Sequence, residues 1–482
     1  MSLLPEGLVG LAAVTIFLLD VVFRQHAKRL PYLAWFAVGA LGVASQLILS
    51  GTDDLPSKSL FFHQIVNDRW STFFRLFAWL ATAGGIAMAA LSKNIAAERR
   101  GEYFALLLCL GVGLSLMAQA SDGLMIFISV EWVSLLSYCL AGFGQRGSWS
   151  AEASLKYALY GAVASACMVF GISYLYGISG HTQLWSIEFG KVGYGGAGLA
   201  LCLGWMLFGS GIAFKIAAVP WQMWCPDVYE GSPTPFTAFL SVGPKAAGFA
   251  LLYRMVCTLK AIPQLPVDLI VGALAAVTMT WANLLALGQI QMKRMLAYSS
   301  IAQAGYLLLG VAAGTREGAA SVVLYLVIYL FMDLGAFWSV SMIEDALKTD
   351  SISDYRGLGR RFPLFSVALT LCLASLAGLP PLGGFVGKFH LFQSLVDRGQ
   401  PWSNVLAVLA VLNSALSFYY YGRVIRRMFF EQSEAPSMAP ATLRVGSQMF
   451  LGLCVCGTVG LGVAFEPLRH WAMESSRSLL LK

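Results

Sequence analysis

Four charged side chains stand inside long apolar runs of this chain: Glu131, Lys215, Lys245 and Lys388. A charge at mid-bilayer depth costs about 2.5–3.5 kcal/mol on insertion scales, so such residues mark ion or proton paths by default. Lys215 precedes Pro220 by five residues, and that proline leaves the Ile216 carbonyl without its helical partner. Lys388 follows Pro381 by seven residues, at the end of the run Gly378-Leu379-Pro380-Pro381 to Gly387-Lys388. Unwound backbone at membrane depth persists only against protein or a water-filled cavity. A lysine beside a broken helix is therefore suited to handling ions or protons. Lys245 follows Gly243 and Pro244 and lies about eleven residues into its apolar run, where snorkelling to an interface cannot reach.

Glu131 shares a helical face with Ser134 and Tyr138, and Glu152, Lys156 and Tyr160 form an i, i+4, i+8 stripe. Glu152 and Lys156 also make a routine helix-stabilising pair, with Lys156 expected to lie deeper. Burial disfavours an ammonium and a neighbouring carboxylate favours it. An acid–lysine pair can therefore be switched by modest charge movements nearby, which makes a proton relay without any cofactor. Asp227 and Glu230 fall in a Pro/Gly-rich stretch that reads as a loop, where capping and turn duties suit them at least as well. Asp68 and Arg69 mark a helix start, and the five histidines show no ligand spacing, with His390 alone retained as a relay candidate. The aromatics read as lipid-facing or interfacial.

The rest of the chain must hold these groups in a bilayer. It is 58% hydrophobic and only 12% charged, against about a quarter for soluble domains. Mean hydropathy is +0.70, and apolar runs of about 20 residues recur from end to end. This is an all-α polytopic membrane protein, and composition excludes a soluble fold. The net charge of +7 does not indicate nucleic acid, because the basic residues fall in connections between apolar runs. Nine scattered cysteines without a C-x-x-C pair read as apolar packing residues, and no cleavable signal peptide is evident.

Fourteen spans are expected, the seventh near 196–219 and the twelfth near 363–395. Arg24, Lys28, Lys93, Arg99, Lys293, Arg356, Arg361 and Arg427 all fall in odd-numbered connections, while even ones carry only isolated charges such as Lys58, Lys191 and Arg398. The positive-inside bias places odd connections in the cytoplasm and both termini on the opposite side of the membrane. The two lysine-bearing interrupted runs, five spans apart, suggest two related five-helix units. The expected divisions are 1–101 for three N-terminal helices, 102–262 and 263–430 for the two repeats, and 431–482 for the last helix and tail.

Four motifs carry a family resemblance: Phe214 to Pro220, Pro226 to Pro235, Lys293-Arg294-Met295 through Gln303, and Gly378-Leu379-Pro380-Pro381. Together they resemble the antiporter-like subunits of respiratory complex I, most narrowly subunit N, over essentially the fourth to thirteenth spans. The Glu152 to Tyr157 and Val242 to Lys245 runs favour subunit N over its larger relatives. The resemblance implies about 14 transmembrane helices with two inverted five-helix repeats, helices 4–8 and 9–13, and broken helices 7 and 12. It implies a proton-translocating subunit of NADH:quinone oxidoreductase, driven by quinone reduction elsewhere. Carried over to this chain, Glu131 is the acidic partner of Lys215, Lys245 is the central lysine, Lys388 is the distal one and Lys156 a further member. Glu131 and Lys215 are expected to face each other, in direct contact or bridged by one water.

No cofactor is expected in this chain, whereas the complex would carry FMN, iron–sulfur clusters and quinone. Expected partners are the other membrane subunits, including the other antiporter-like ones and the small subunits beside the quinone site. The alternative is a cation/proton antiporter subunit of a multisubunit exchanger, which shares the fold; a purely structural scaffold leaves the buried charges without purpose.

Two positions depart from the family pattern. Gln222 stands where a histidine is common, and Asp333 stands where a neutral Asn usually precedes Leu334-Gly335-Ala336-Phe337. Tyr325, Tyr329 and Asp333 share one helical face, which is expected to turn inward between Lys245 and Lys388. Asp333 is either a neutral acid that only hydrogen-bonds or an additional titrating member of the axis.

Overall fold

The computed structural model describes residues 3–24, 29–51, 58–144, 147–183, 196–260, 262, 265–432 and 445–479. His26, Lys28 and Lys191 lie outside the described residues, as does the side chain of Lys58. The chain opens with α1 (Leu4–Val22), α2 (Arg29–Ser50) and α3 (Arg69–Leu91). Next come α4 (Arg100–Gln119), α5 (Gly123–Ala141), α6 (Ser148–Ser179), α7 (Gly196–Ile216), the short α8 (Trp224–Gly231) and α9 (Thr234–Leu259). The second half holds α10 (Val267–Leu287), α11 (Met292–Ala313), α12 (Arg316–Leu347), α13 (Leu358–Arg361), α14 (Pro363–Ala377) and α15 (Gly383–Val396). It closes with α16 (Pro401–Phe430), α17 (Val445–Val463) and α18 (Glu466–Ser476). Thirteen of these described helices are long and apolar enough to cross a membrane. The expected twelfth span is instead the pair α14 and α15, of 15 and 14 residues.

Helix starts follow their capping residues. Asp68 accepts from the Ser71 amide while the Ser71 hydroxyl takes the Asp68 amide, a reciprocal capping box at α3. Thr315 caps α12 in the simpler way, through the Gly318 amide at 3.1 Å. Close helix contacts need small residues, since lipid offers no hydrophobic drive for association. At Gly384 a Cβ would overlap the Ser375 carbonyl, so only glycine lets α15 start against the end of α14.

The core is unusual for where its charges sit. The apolar window of α9 is 100% buried, that of α11 94% and that of α12 89%, whereas those of α2, α6 and α17 are below a third. Lys245, Asp333 and Glu344 lie on the deeply buried helices, so the polar groups are placed where solvent and lipid reach least. α9 packs against α3, α4, α7 and α12, and α12 in turn packs against α14, α15, α17 and α18.

Three features were not read from the sequence. A hairpin of β1 (Lys58–Leu60) and β2 (Ile65–Asn67) occupies the second connection. The region taken as a tail forms α18, which packs on α12 and α3, with Trp471 edge-on to Phe73 at 5.0 Å and Glu474 paired with Arg69. The expectation that aromatics face lipid or the interface fails for Tyr229, Tyr306 and Tyr420, which are fully buried, as are Tyr325 and Tyr329 on their inward-turned face. Their hydroxyls bind polar groups on neighbouring helices, which a lipid-facing tyrosine could not do.

A second polar knot ties α1 to α3 and α4. The Arg75 guanidinium donates to both Glu6 oxygens at 2.9 and 3.0 Å, and Ser115 and Gln119 also donate to Glu6. Both partners are buried. Removing one member of a buried pair leaves an uncompensated charge, at a cost of about 3–5 kcal/mol. Glu6→Gln, which keeps an acceptor but removes the charge, is expected to lower the thermal unfolding midpoint of the detergent-solubilised protein clearly below the parent's, and Glu6→Ala at least as far. A Glu6→Gln midpoint equal to the parent's would show that the pair carries no such energy.

Candidate proton-handling site

Lys215 occupies the last turn of α7, where the helix stops one residue later at Ile216. Ala217 takes φ of 58°, a left-handed conformation usually left to glycine. The Ala218 amide turns back to the Ala213 carbonyl at 2.9 Å, and helix resumes only at Trp224. A cation in the last turn of a helix meets the partial negative charge of the terminal carbonyls. Lys215 is 1% exposed, and its Nζ has no hydrogen-bond partner. Glu131, on α5, is the carboxylate whose charge reaches it, but the two make no ion pair, and Glu131 instead accepts from Ser165 on α6. The expected pairing is thus not a direct contact, and Ser165 is the group that the Glu131 carboxylate holds.

Lys388 repeats the arrangement at the second interruption. α14 ends at Ala377 with Gly378 at φ 94°. The lysine, one turn into α15, donates back to the freed carbonyls of Leu376 at 2.8 Å and Ala377 at 3.2 Å, and to Ser414 at 3.2 Å. Its ammonium lies 4.4 Å from the Tyr306 ring centre, a cation–π contact. Both interruptions contain a cis X–Pro bond, Val219–Pro220 and Pro380–Pro381.

Lys245 lies between the two. It donates to the carbonyl of Ser300 at 2.8 Å and to its hydroxyl at 2.6 Å. The Ser300 hydroxyl meets Tyr329 at 2.8 Å and, more loosely, Tyr229 at 3.5 Å. Asp333 is 2% exposed and accepts from Ser241, one turn before Lys245 on α9. Tyr325, Tyr329 and Asp333 do face the interior, and Asp333 sits beside Lys245, whose charge it feels. Beyond Tyr329, Tyr325 donates to Gln303, and the Gln303 amide donates at 3.2 Å to the same Leu376 carbonyl that Lys388 holds.

Lys156 stands one turn further along α6 than Glu152, on the outer face of the bundle. Its side chain is 39% exposed and it pairs with Glu152 at 2.8 Å and Asp227 at 2.9 Å. Asp227 and Glu230 sit on α8 rather than on a loop, and Arg294 joins them at 2.6 and 2.8 Å. This ladder of alternating charge lies apart from the three buried lysines. Lys293, expected in an exposed connection, is buried in the first turn of α11 and donates to the Ser232 carbonyl at 2.8 Å. Ser300, Gln303 and Ser241 were missed altogether, since an isolated hydroxyl or amide in an apolar run gives no signal until a partner helix is placed against it. Among the described residues no group of three or more His, Cys, Asp or Glu side chains is placed to hold a metal.

Residues 120–416 match the family described as NADH:quinone oxidoreductase/Mrp antiporter, transmembrane. The NADH-quinone oxidoreductase subunit N of Anaeromyxobacter sp. (strain Fw109-5) is 43% identical across 98% of this chain and 95% of its own. Among solved structures, a chain of respiratory complex I from Thermus thermophilus with bound aureothin superposes with a TM-score of 0.77 at 29% identity, covering 97% of this chain and 99% of that one. A chain of the Mrp complex from Dietzia sp. DQ12-45-1b shares the fold, with a TM-score of 0.82 at 21% identity over 99% and 97%. The chain belongs to the NADH:quinone oxidoreductase/Mrp antiporter family of membrane subunits, and within it to the subunit N branch.

Proposed function

We propose that this chain moves protons within an NADH:quinone oxidoreductase, as a subunit that performs no redox step of its own and works through Lys215, Lys245 and Lys388. The observation that carries this reading is three ammonium groups, each at most 2% exposed, on helices with the deepest burial or at the ends of broken ones. Glu131, Asp333 and Lys156 are the further members. The first two modulate the lysines by charge, and Lys156 acts from the exposed ladder. FMN, iron–sulfur clusters and quinone belong to partner subunits. The likeness in sequence to a subunit N over nearly the whole chain favours this reading over an exchanger subunit, for which the shared family model and fold speak. Co-purification with flavin and iron–sulfur subunits separates the two.

The chemistry is proton transfer under electrostatic control. An ammonium at Lys245 can give a proton to Ser300, whose hydroxyl passes one on to Tyr329 as it takes one up. At an effective dielectric of about 20, one unit charge appearing about 10 Å away changes the ammonium's free energy by about 1.7 kcal/mol, more than tenfold in its equilibrium. Protonation of one lysine is thereby felt by the next. The divisions 102–262 and 263–430 act as paired units, each with a lysine-bearing broken helix followed by one unbroken helix.

Lys215→Ala is expected to reduce coupled proton pumping and electron transfer while the complex still assembles. Undiminished pumping in vesicles carrying that variant would remove Lys215 from the relay. Asp333→Asn replaces the carboxyl beside Lys245 with a neutral amide. The pH profile of pumping should then shift with assembly retained, and an unchanged profile would leave Asp333 as a hydrogen-bonding group only. Orientation follows the basic connections. Reporter fusions after α13 should read cytoplasmic, and fusions near Arg398 periplasmic; the opposite pair of signals would invert the topology.

A further inference from the structure

A cavity of about 210 Å³ lies at one end of the helix bundle, away from the three lysines. Its lining includes Ser150, Ser232, Thr234, Lys293, Glu344 and Lys348. These come from the start of α6, the α8–α9 junction, the start of α11 and the end of α12, all of which the basic connections assign to the cytoplasmic side. The cavity is polar and has room for a chain of waters. One lining group points to an occupant: the Ser232 hydroxyl is buried and finds no hydrogen-bond partner. Glu344, 6% exposed, accepts from the Thr234 hydroxyl at 2.7 Å.

A row of polar groups leads inward from this point. Thr234, Thr237, Ser241 and Lys245 are spaced three, four and four residues apart, so they share one face of α9 over a rise of about 16 Å. α12 runs alongside α9 and sets carboxylates against that face at two levels: Glu344 meets Thr234 at the cavity, and Asp333 meets Ser241 one turn short of Lys245. Between the two levels α12 offers Phe337, fully buried and edge-on to Tyr229 at 6.1 Å. Phe337 thus sets an apolar ring between the two carboxylates of this seam, with the cavity on the Glu344 side.

We propose that Glu344 is the proton-loading carboxylate for Lys245, with the cavity as its water-filled approach and Phe337 as the barrier that must move for a proton to pass. The step is a plain proton transfer. Glu344 takes a proton from hydronium in the cavity, leaving water, and becomes neutral. When Phe337 swings aside, that proton moves along the α9 hydroxyls to Asp333 and then to the Lys245 amine, which becomes an ammonium while Glu344 returns to a carboxylate. This assignment rests on Lys245 being part of the proton path, but the existence and sidedness of the approach can be read without it.

The test uses the assembled complex in membrane vesicles. Ser232→Cys is exposed to a small, charged, membrane-impermeant methanethiosulfonate reagent in inside-out and right-side-out vesicles, and modification at residue 232 is read by peptide mass. Reaction from the cytoplasmic face alone is expected. No reaction from either face, or reaction from the opposite face, overturns the approach. In the same vesicles Glu344→Gln should lower the pumping rate by at least about tenfold, the least expected on losing a positioned proton acceptor. Glu344→Asp should restore most of it, since a carboxyl remains. Normal pumping in Glu344→Gln, or equal failure of Gln and Asp, overturns the role of Glu344. Lys245→Ala should leave the labelling at residue 232 unchanged. Labelling that fails while Lys245→Ala still abolishes pumping would refute the inlet and spare the relay.

Discussion

Everything in this fold answers to the difficulty of keeping an ammonium away from water. A bare cation in the apolar interior costs several kcal/mol, and a full counter-ion would fix it in one protonation state. The chain uses partial charges instead. Lys388 folds back onto two carbonyls freed where α14 stops, and Lys215 stands in the terminal turn of α7, where unsatisfied carbonyls gather. Lys245 has the carbonyl and hydroxyl of one serine. Dipoles of this size hold a charge without locking it, so the state of each lysine stays open to its neighbours. The broken helices, the buried tyrosines and the close packing at Gly384 all serve this arrangement.

Burial and coupling are set by different helices. The helices with the deepest burial, α9, α11 and α12, carry the central lysine, its serine and its carboxylate, so this cluster is insulated on every side. The paired charges Glu6–Arg75 and Asp68–Arg254 lie instead where α1, α3 and α9 meet. There the complementary charge is complete, and the groups act as ties. A full ion pair fastens helices; a lysine on dipoles can change state.

Much of this was legible in the sequence because it rests on local rules. A lysine in an apolar run and a proline a few residues away suffice to mark Lys215, Lys245 and Lys388, and the spacing of Tyr325, Tyr329 and Asp333 suffices to turn that face inward. What failed was whatever depends on a neighbour. The carboxylate of Glu131 accepts from Ser165 on α6, and no periodicity along α5 encodes that partner. The partners of Lys156 were only half legible: Glu152 follows from the i, i+4 spacing, whereas Asp227 is brought in by α8. Lys293 looked exposed beside Arg294, yet the carbonyl of Ser232 draws it inside.

One junction has an electrical meaning. Gln303 joins Tyr325 on one side and, on the other, the Leu376 carbonyl that Lys388 also holds. A neutral amide gives and accepts hydrogen bonds but does not take up an excess proton at ordinary pH. In the proposed axis, the centre and the distal lysine are thus joined as the plates of a capacitor are: charge on one is felt at the other, while no current crosses the dielectric between them. The signal passing along the bilayer plane between them is then voltage.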